Sequence, residues 1–145
     1  MRNILKILSD TADCSDCVRL KVGAVLTRDG EVIATGFNYA LGTDDCHNHF
    51  RDRSADEIRL FHSDFSDRYE IHAEAMAICQ CAADGIPARG ATLYVTHSPC
   101  MECAKLIAAS GISEVRYLHL YKNGEGLRLL KERGIPYGQI TEKGS

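Results

Sequence analysis

The sequence predicts an α/β fold in which helices cover both faces of a five-stranded mixed sheet. Three observations predict it: an amphipathic opening segment, two β-branched runs joined by an Asp-Gly turn, and a later alternation of helical and strand patterns. Alternating strands and helices imply parallel crossovers, whereas an Asp-Gly hairpin joins antiparallel strands. A three-layer α/β/α arrangement is therefore expected.

The elements follow from these patterns in chain order. The opening residues form an amphipathic helix, and residues 22–27 and 31–35 form the hairpin. The remaining elements are helices at 72–84, 99–110 and 125–133 and strands at 91–96, 114–119 and 136–140. Ser98 followed by Pro99 is typical of a helix start, and glycines at 85, 111 and 134 are typical of helix ends.

Residues 36–69 break the pattern, because they are rich in Asp, His, Arg and Asn and show no clear period. They predict one long loop that cannot bury a core of its own. Loops of this length are uncommon in compact domains unless they are functional or held by another interaction. The 145 residues predict a single domain, with this loop fixed by some additional contact.

Composition excludes several classes of function. A net charge of −3 and a pI of about 6.0 disfavour a polynucleotide partner, which needs clustered Lys and Arg. No apolar run reaches the ~20 residues of a membrane span, and the opening segment lacks the features of a signal peptide. The seven cysteines are then expected to be metal ligands or buried thiols of a soluble, cytoplasmic protein.

Two short motifs carry the chemistry. His72-Ala73-Glu74 opens one predicted helix, and Pro99-Cys100-Met101-Glu102-Cys103 opens the next. Two thiolates three positions apart can bind one metal ion, with His72 as a third ligand. Three protein ligands leave one tetrahedral position of zinc for water, the pattern of catalytic sites. Glu74 is then placed as the catalytic proton shuttle.

Together the motifs match the H-x-E and P-C-x-x-C signature of zinc nucleobase deaminases. From about Asp10 to Tyr137 the chain further resembles the deoxycytidylate deaminases, notably in CVRLKVGAVLTRDGEVIATGFN and GATLYVTHSPCMECAKLIAASGI. The resemblance implies a cytidine-deaminase-like fold and zinc-dependent conversion of dCMP to dUMP, which supplies thymidylate synthesis. It also implies a homo-hexamer regulated by dCTP and dTTP, with magnesium accompanying a triphosphate effector.

The resemblance also implies substrate contacts. Asn38 corresponds to a residue that meets the sugar, Arg19 to one near the phosphate, and Tyr121 to an aromatic residue near the base. Ala73 and Thr96 would offer backbone groups to the pyrimidine. A solvated Arg19 and a Tyr121 that only packs are the alternatives.

Two departures from the family pattern affect these expectations. Gly36-Phe37-Asn38-Tyr39 replaces the usual G-Y-N-G, which puts effector binding in doubt. Met76 stands where the family carries a polar residue, so any contact made there is lost or replaced.

A second group of ligand-type residues lies around the long loop. Some viral and bacterial members of the family that the chain resembles carry a structural zinc there, and the resemblance implies that their motif corresponds to Cys17, Cys46, His62 and Glu70. Four protein ligands would form a closed site that orders the polar loop. Cys14, His47 and His49 are alternative ligands.

Other functions stay open from the sequence. The enzymes that share both motifs include tRNA adenosine deaminases and riboflavin-pathway deaminases, and dCTP is an alternative substrate to dCMP. Outside the enzymes, the chain could be a non-catalytic, nucleotide-binding zinc protein. The acidic pI disfavours an RNA substrate, and the intact Glu74 disfavours a protein without activity.

Overall fold

A computed structural model describes residues 3–42 and 44–141 of the chain. Within them the elements are α1 (Ile4–Asp13), β1 (Gly23–Arg28), β2 (Glu31–Phe37), β3 (Tyr39–Ala40), α2 (Cys46–His49), α3 (Ala55–Tyr69), β4 (Glu70–Ile71), α4 (Ala73–Asp84), β5 (Thr92–His97), α5 (Met101–Ser110), β6 (Glu114–His119), α6 (Glu125–Glu132) and β7 (Tyr137–Gln139). None of the helices described is long and apolar enough to cross a membrane.

The central sheet has five strands in the order β2-β1-β5-β6-β7. The pairs β1/β2 and β1/β5 are antiparallel, and β5, β6 and β7 run parallel to one another. The predicted mixed sheet is confirmed. The carboxyl ends of β5 and β6 therefore lie side by side, where Ser98 N–H donates to the carbonyl of His119 at 2.9 Å.

The hairpin forms at the predicted turn. Asp29 and Gly30 both have positive φ, 54° and 79°, as a type I′ turn requires. The pairing shifts between Leu26 and Thr27, so that Ile33 has no partner in the β1/β2 register.

Helices pack directly on both faces of the sheet. A Cβ atom on Gly23 would lie 2.6 Å from the backbone nitrogen of Ala12 in α1, and one on Gly36 would lie 2.5 Å from that of Ala77 in α4. Gly36 pairs with Ala24, the neighbour of Gly23, and successive residues of a strand point to opposite faces. α1 and α4 therefore cover opposite faces, as predicted.

The prediction of one long loop over 36–69 is wrong. The segment contains β3, α2 and the 15-residue helix α3. Ser54 and Glu57 form a reciprocal capping box at the start of α3, with hydrogen bonds of 3.1 and 3.3 Å. Ser-x-x-Glu is a recognised helix-start signal that the polar composition obscured.

The same segment also buries a small core. Ile58 and Phe65 lie seven positions apart on one side of α3, and they pack with Phe50. Cys17, Ala40 and Cys46 complete this second cluster, which is separate from the main core of the sheet. The expectation that the segment cannot bury a core of its own is therefore wrong, because every member of the cluster except Cys17 lies within residues 36–69.

Candidate active site and second metal-ligating cluster

The ends of two strands bring His72, Cys100 and Cys103 together. His72 is the N-cap residue of α4, and Cys100 is the N-cap residue of α5. The Nδ1 atom of His72 lies 3.5 Å from Sγ of Cys100 and 3.3 Å from Sγ of Cys103. The three ligand atoms thus form one compact group at adjoining helix starts.

The start of α5 differs from the prediction. Cys100, rather than Ser98, caps the helix: its Sγ accepts a hydrogen bond from the backbone N–H of Cys103 at 3.4 Å. The Ser98 hydroxyl instead accepts one from the backbone N–H of Tyr121 at 2.8 Å. The helix therefore begins at Met101, and Ser98 connects the loops that follow β5 and β6.

These three donors fit a zinc ion. Zn–N bonds of about 2.0 Å and Zn–S bonds of about 2.3 Å place neighbouring ligands of a tetrahedron about 3.5 Å apart, close to the observed separations. A hydrogen bond from Cys103 lowers the pKa of Cys100 to about 4, whereas the same bond and burial raise the pKa of Cys103. One sulfur of the pair is therefore anionic near neutral pH.

Glu74 lies in the first turn of α4 and is 4% exposed. Burial raises the pKa of its carboxyl to about 7 against the opposing effects of its backbone hydrogen bond and the charge of His72. A carboxyl in this range can both accept and donate a proton at neutral pH.

Glu74 opens onto a cleft of about 470 Å³, which is within the size range of small-molecule sites. Six other residues expected at the site also line this cleft: Arg19, Asn38, His72, Ala73, Cys100 and Tyr121. Thr96 does not line it. Its hydroxyl accepts a hydrogen bond from the backbone N–H of Gly23 at 3.1 Å and lies 2.9 Å from Nδ1 of His97.

Asn38 uses its side chain within the protein. Its Oδ1 accepts from the backbone N–H of Val22 at 2.9 Å, and its Nδ2 donates to the carbonyl of Leu20 at 2.8 Å. The amide therefore fixes the segment that leads into β1 along one wall of the cleft.

Sequence reasoning missed several residues of the cleft, among them His97, Arg59 and Lys122. The ring of His97 is edge-on to Tyr121 at a centroid distance of 6.4 Å, and burial lowers its pKa. His97 directly follows Thr96, so its place at a strand end was a usable signal. Arg59 lies on the unpredicted helix α3, and Lys122 lies in a turn, so no sequence signal indicated that either residue lines the cleft.

A second cluster forms beside the middle and the carboxyl end of α3. Cys17, Cys46, His62 and Glu70 bring their ligand atoms within 4.8 Å of one another. Nε2 of His62 lies 3.4 Å from both sulfurs and 3.4 Å from Oε1 of Glu70, and Cys17 Sγ lies 3.8 Å from that same oxygen. These four are the set expected from the sequence.

The chemistry of this cluster also fits zinc. Two sulfurs, one imidazole nitrogen and one carboxylate oxygen at tetrahedral spacing are common zinc ligands. Burial raises the pKa of Cys46 to about 12 and lowers that of His62, so burial disfavours the charged form of each side chain. Oε2 of Glu70 is buried without a hydrogen-bond partner among the described residues. A cation at the cluster would compensate these groups.

The alternative ligands lie elsewhere. Cys14 is exposed, and its thiol donates to the carbonyl of Asp10. The His49 ring stacks on Phe65 at 4.4 Å and lies 3.8 Å from the carboxylate of Asp44. His47 is exposed at the surface of α2.

Comparisons with known proteins identify relatives of the chain. Residues 1–119 match the family described as the cytidine and deoxycytidylate deaminase zinc-binding region. The chain is 33% identical over 172 residues to deoxycytidylate deaminase of enterobacteria phage T4, covering 97% of this chain and 89% of that one. It is 40% identical over 128 residues to ComE operon protein 2 of Bacillus subtilis, covering 87% of this chain but only 63% of that protein.

A solved structure shares the fold. The dCMP deaminase of cyanophage S-TIM5, crystallised in complex with dCMP and dUMP, matches with a TM-score of 0.79 and 27% identity, covering 94% of this chain and 93% of that one.

Proposed function

Because the chain belongs to the cytidine and deoxycytidylate deaminase family, we propose that it deaminates deoxycytidylate by hydrolysis to deoxyuridylate and ammonia. The observation that carries this proposal is the buried Glu74 beside the His72, Cys100 and Cys103 donors, at the inner end of a cleft of nucleotide size. The names of the phage relatives, and the dCMP and dUMP bound to the cyanophage enzyme, support the choice of substrate.

His72, Cys100 and Cys103 would hold the catalytic zinc. When bound, zinc supplies the Lewis acidity that makes water a nucleophile near neutral pH. The position of the donors at the starts of α4 and α5 favours negative sulfur, because backbone N–H groups point towards it there.

Glu74 would move the protons of the reaction. Water adds to C4 of the cytosine ring, and Glu74 takes a proton from that water and delivers it to ring nitrogen N3. The C4–N bond then breaks, the amine leaves as ammonia with a second proton passed on by Glu74, and a C4 carbonyl remains. Burial of Glu74 excludes bulk water from this transfer.

The expected substrate contacts are part of the same proposal. Arg19 at the rim would meet the phosphate, and Tyr121 would pack against the nucleotide. Ala73 would offer backbone groups to the pyrimidine, whereas Thr96 lies outside the cleft lining. Asn38 would meet the sugar through the acceptor and donor capacity of its amide that the hydrogen bonds to Val22 and Leu20 leave free.

We further propose that Cys17, Cys46, His62 and Glu70 hold a second, structural zinc. The separations of 3.4 to 3.8 Å between their ligand atoms support a closed site. These residues come from before β1, from α2, from α3 and from β4, so one ion would fix the segment at 36–69 to the chain that leads into β1.

Assembly and regulation are proposed from the resemblance. Met101 and Leu106 on α5 and Leu120 after β6 are 37%, 46% and 55% exposed, and large apolar side chains at the surface support association into a homo-oligomer such as a hexamer. Control by dCTP and dTTP, with magnesium bound to the triphosphate, is the regulatory part of the proposal. The seven free thiols support a reducing, cytoplasmic location.

Ammonia release from cytidine, dCMP, dCTP and an RNA hairpin tests the function. We expect release from dCMP at a higher kcat/KM than from the other three. Release from the hairpin alone would indicate an RNA deaminase, and binding of nucleotides without release from any substrate would indicate a nucleotide sensor. Either result would contradict the proposal.

A further inference from the structure

Helix α3 separates two concave surfaces. Arg59, Ser63 and Ser66 lie at positions i, i+4 and i+7 on the side that lines the cleft with Glu74. Phe61, Phe65 and Arg68 line a different, open groove of about 720 Å³ on the other side. Asp67 borders both. One side of α3 is therefore a wall of the candidate active site.

Positive charge collects at the outer part of the cleft. Arg19, Arg59 and Lys122 all line it, and all three are exposed, whereas Glu74 at the inner end is buried. Among the anionic side chains of the lining, Glu70 belongs to the second cluster and Glu74 to the catalytic group, which leaves Asp67 as the exposed one. A nucleotide whose base reaches Glu74 would therefore leave its phosphate among cations.

Arg59 is able to exchange its present partner for such a phosphate. Its guanidinium pairs with Asp56 three positions earlier, but the two side chains are 66% and 78% exposed. Exposed ion pairs contribute little to stability, whereas an arginine can bind a phosphate through two parallel hydrogen bonds. The Ser63 hydroxyl, one turn further along, offers a donor on the same side of the helix.

The second cluster of ligand-type residues fixes the position of Arg59 through its neighbour His62. His62, three positions after Arg59, has its Nε2 atom 3.4 Å from the sulfurs of Cys17 and Cys46. This contact joins α3 to the segments before β1 and at α2, and it holds the helix against the cleft. A guanidinium presented from a fixed helix is better ordered for binding than one on a loop.

We propose that Arg59 and Ser63 bind the 5′-phosphate of the substrate and thereby select nucleotides over free nucleosides. The proposal rests on the proposed function for the identity of the base, but the phosphate contact is measurable without turnover. Arg59 is a specificity-determining residue here, and Arg68 on the opposite side of α3 provides a matched control.

The experiment compares zinc-loaded full-length wild type with Arg59→Gln, Arg59→Lys, Ser63→Ala and Arg68→Gln. Titration calorimetry measures the Kd of dUMP and deoxyuridine, and ammonia release measures KM and kcat for dCMP and deoxycytidine. Arg59→Gln should raise the Kd of dUMP and the KM of dCMP about 10- to 100-fold, the loss expected for hydrogen bonds to a charged group. Constants for the nucleosides should stay within about twofold by the same reasoning.

The other variants refine the result. Ser63→Ala should weaken dUMP binding about 3- to 10-fold, as for one neutral donor, and Arg59→Lys should recover part of the loss because it keeps the charge but not the paired donors. Arg68→Gln should leave dUMP binding as in the wild type.

Equal Kd values of dUMP for wild type and Arg59→Gln would overturn the proposal, as would an equal loss of dUMP and deoxyuridine binding. A wild type that binds dUMP through Arg59 but releases no ammonia from dCMP would instead reject the proposed function and keep the phosphate site.

Discussion

The Nδ1 atom of His72 lies 3.3 Å from the Sγ atom of Cys103, although the two residues are 31 positions apart in the sequence. In the chain, β5 follows α4 and precedes α5, so it returns the chain to the level at which α4 begins. His72 and Cys100 are the N-cap residues of α4 and α5, and the two ligand groups therefore meet at adjoining helix starts. The contact joins the two motifs into one site.

Replacing Glu74 by Gln should abolish turnover while zinc content stays unchanged. The amide keeps the size of the carboxyl but cannot carry a proton, and positioned acid–base groups contribute about 100- to 10,000-fold to rate. Steady-state ammonia release and metal analysis of the same preparation check this. The exposed Glu125→Gln in the first turn of α6 is the control. Substantial activity in Glu74→Gln would assign proton transfer to another group.

Replacing Cys100 by Ala should remove one of the two proposed zinc ions and all deaminase activity. Two remaining donors, His72 and Cys103, are too few for tight zinc binding, whereas the second cluster lies outside the change. Metal analysis after dialysis gives the stoichiometry. Cys79→Ala, which removes an exposed thiol of α4, should retain two ions and full activity. A Cys100→Ala protein that still binds two ions would show that the ligand set is wrong.

The difference between the predicted and observed structure has specific causes. Two β-branched runs and the Asp29-Gly30 turn predicted the hairpin to within two residues, because those signals are local. α3 was missed because its buried side includes His62 beside Ile58 and Phe65, so its apolar period is incomplete without the metal-ligand contact.

The residues of the candidate site likewise fall into those that local patterns predict and those that only tertiary packing brings to the cleft. His72, Glu74, Cys100 and Cys103 were predictable because ligand spacing within a helix turn is local. Arg59 lines the cleft only because α3 packs beside it. That packing depends on contacts between residues distant in sequence, such as Cys17 and His62, which are 45 positions apart, and no local pattern indicates them.

Replacing His62 by Ala should loosen α3 and remove the second zinc. The free energy of unfolding should fall by about 4 kcal/mol or more, because loss of a metal site is among the few mechanisms that produce such large changes. Denaturant unfolding gives this value, and amide hydrogen exchange should accelerate in residues 55–69. His47→Ala, at an exposed position of α2, is the control. If zinc content and amide hydrogen exchange were unchanged in His62→Ala, the proposal of a structural zinc at this cluster would be wrong.

Replacing Gly36 by Ala should destabilise the protein and disturb the site at a distance. The added Cβ atom would lie 2.5 Å from the backbone nitrogen of Ala77, and a helix backbone cannot move aside without shifting α4 as a whole. Overpacking of this kind costs about 1 to 3 kcal/mol. Because α4 begins beside His72 and carries Glu74 in its first turn, the folded fraction should also lose activity.

Gly138→Ala in β7 is the matched change for Gly36→Ala, since its Cβ would meet only the flexible end of Arg116 at 3.0 Å. Thermal unfolding, together with ammonia release per folded molecule, separates the two effects. Gly138→Ala should resemble the wild type in both measurements. A Gly36→Ala protein as stable and active as Gly138→Ala would mean that α4 does not pack on β2 as closely as the structure places it, and that the position of Glu74 does not depend on this contact.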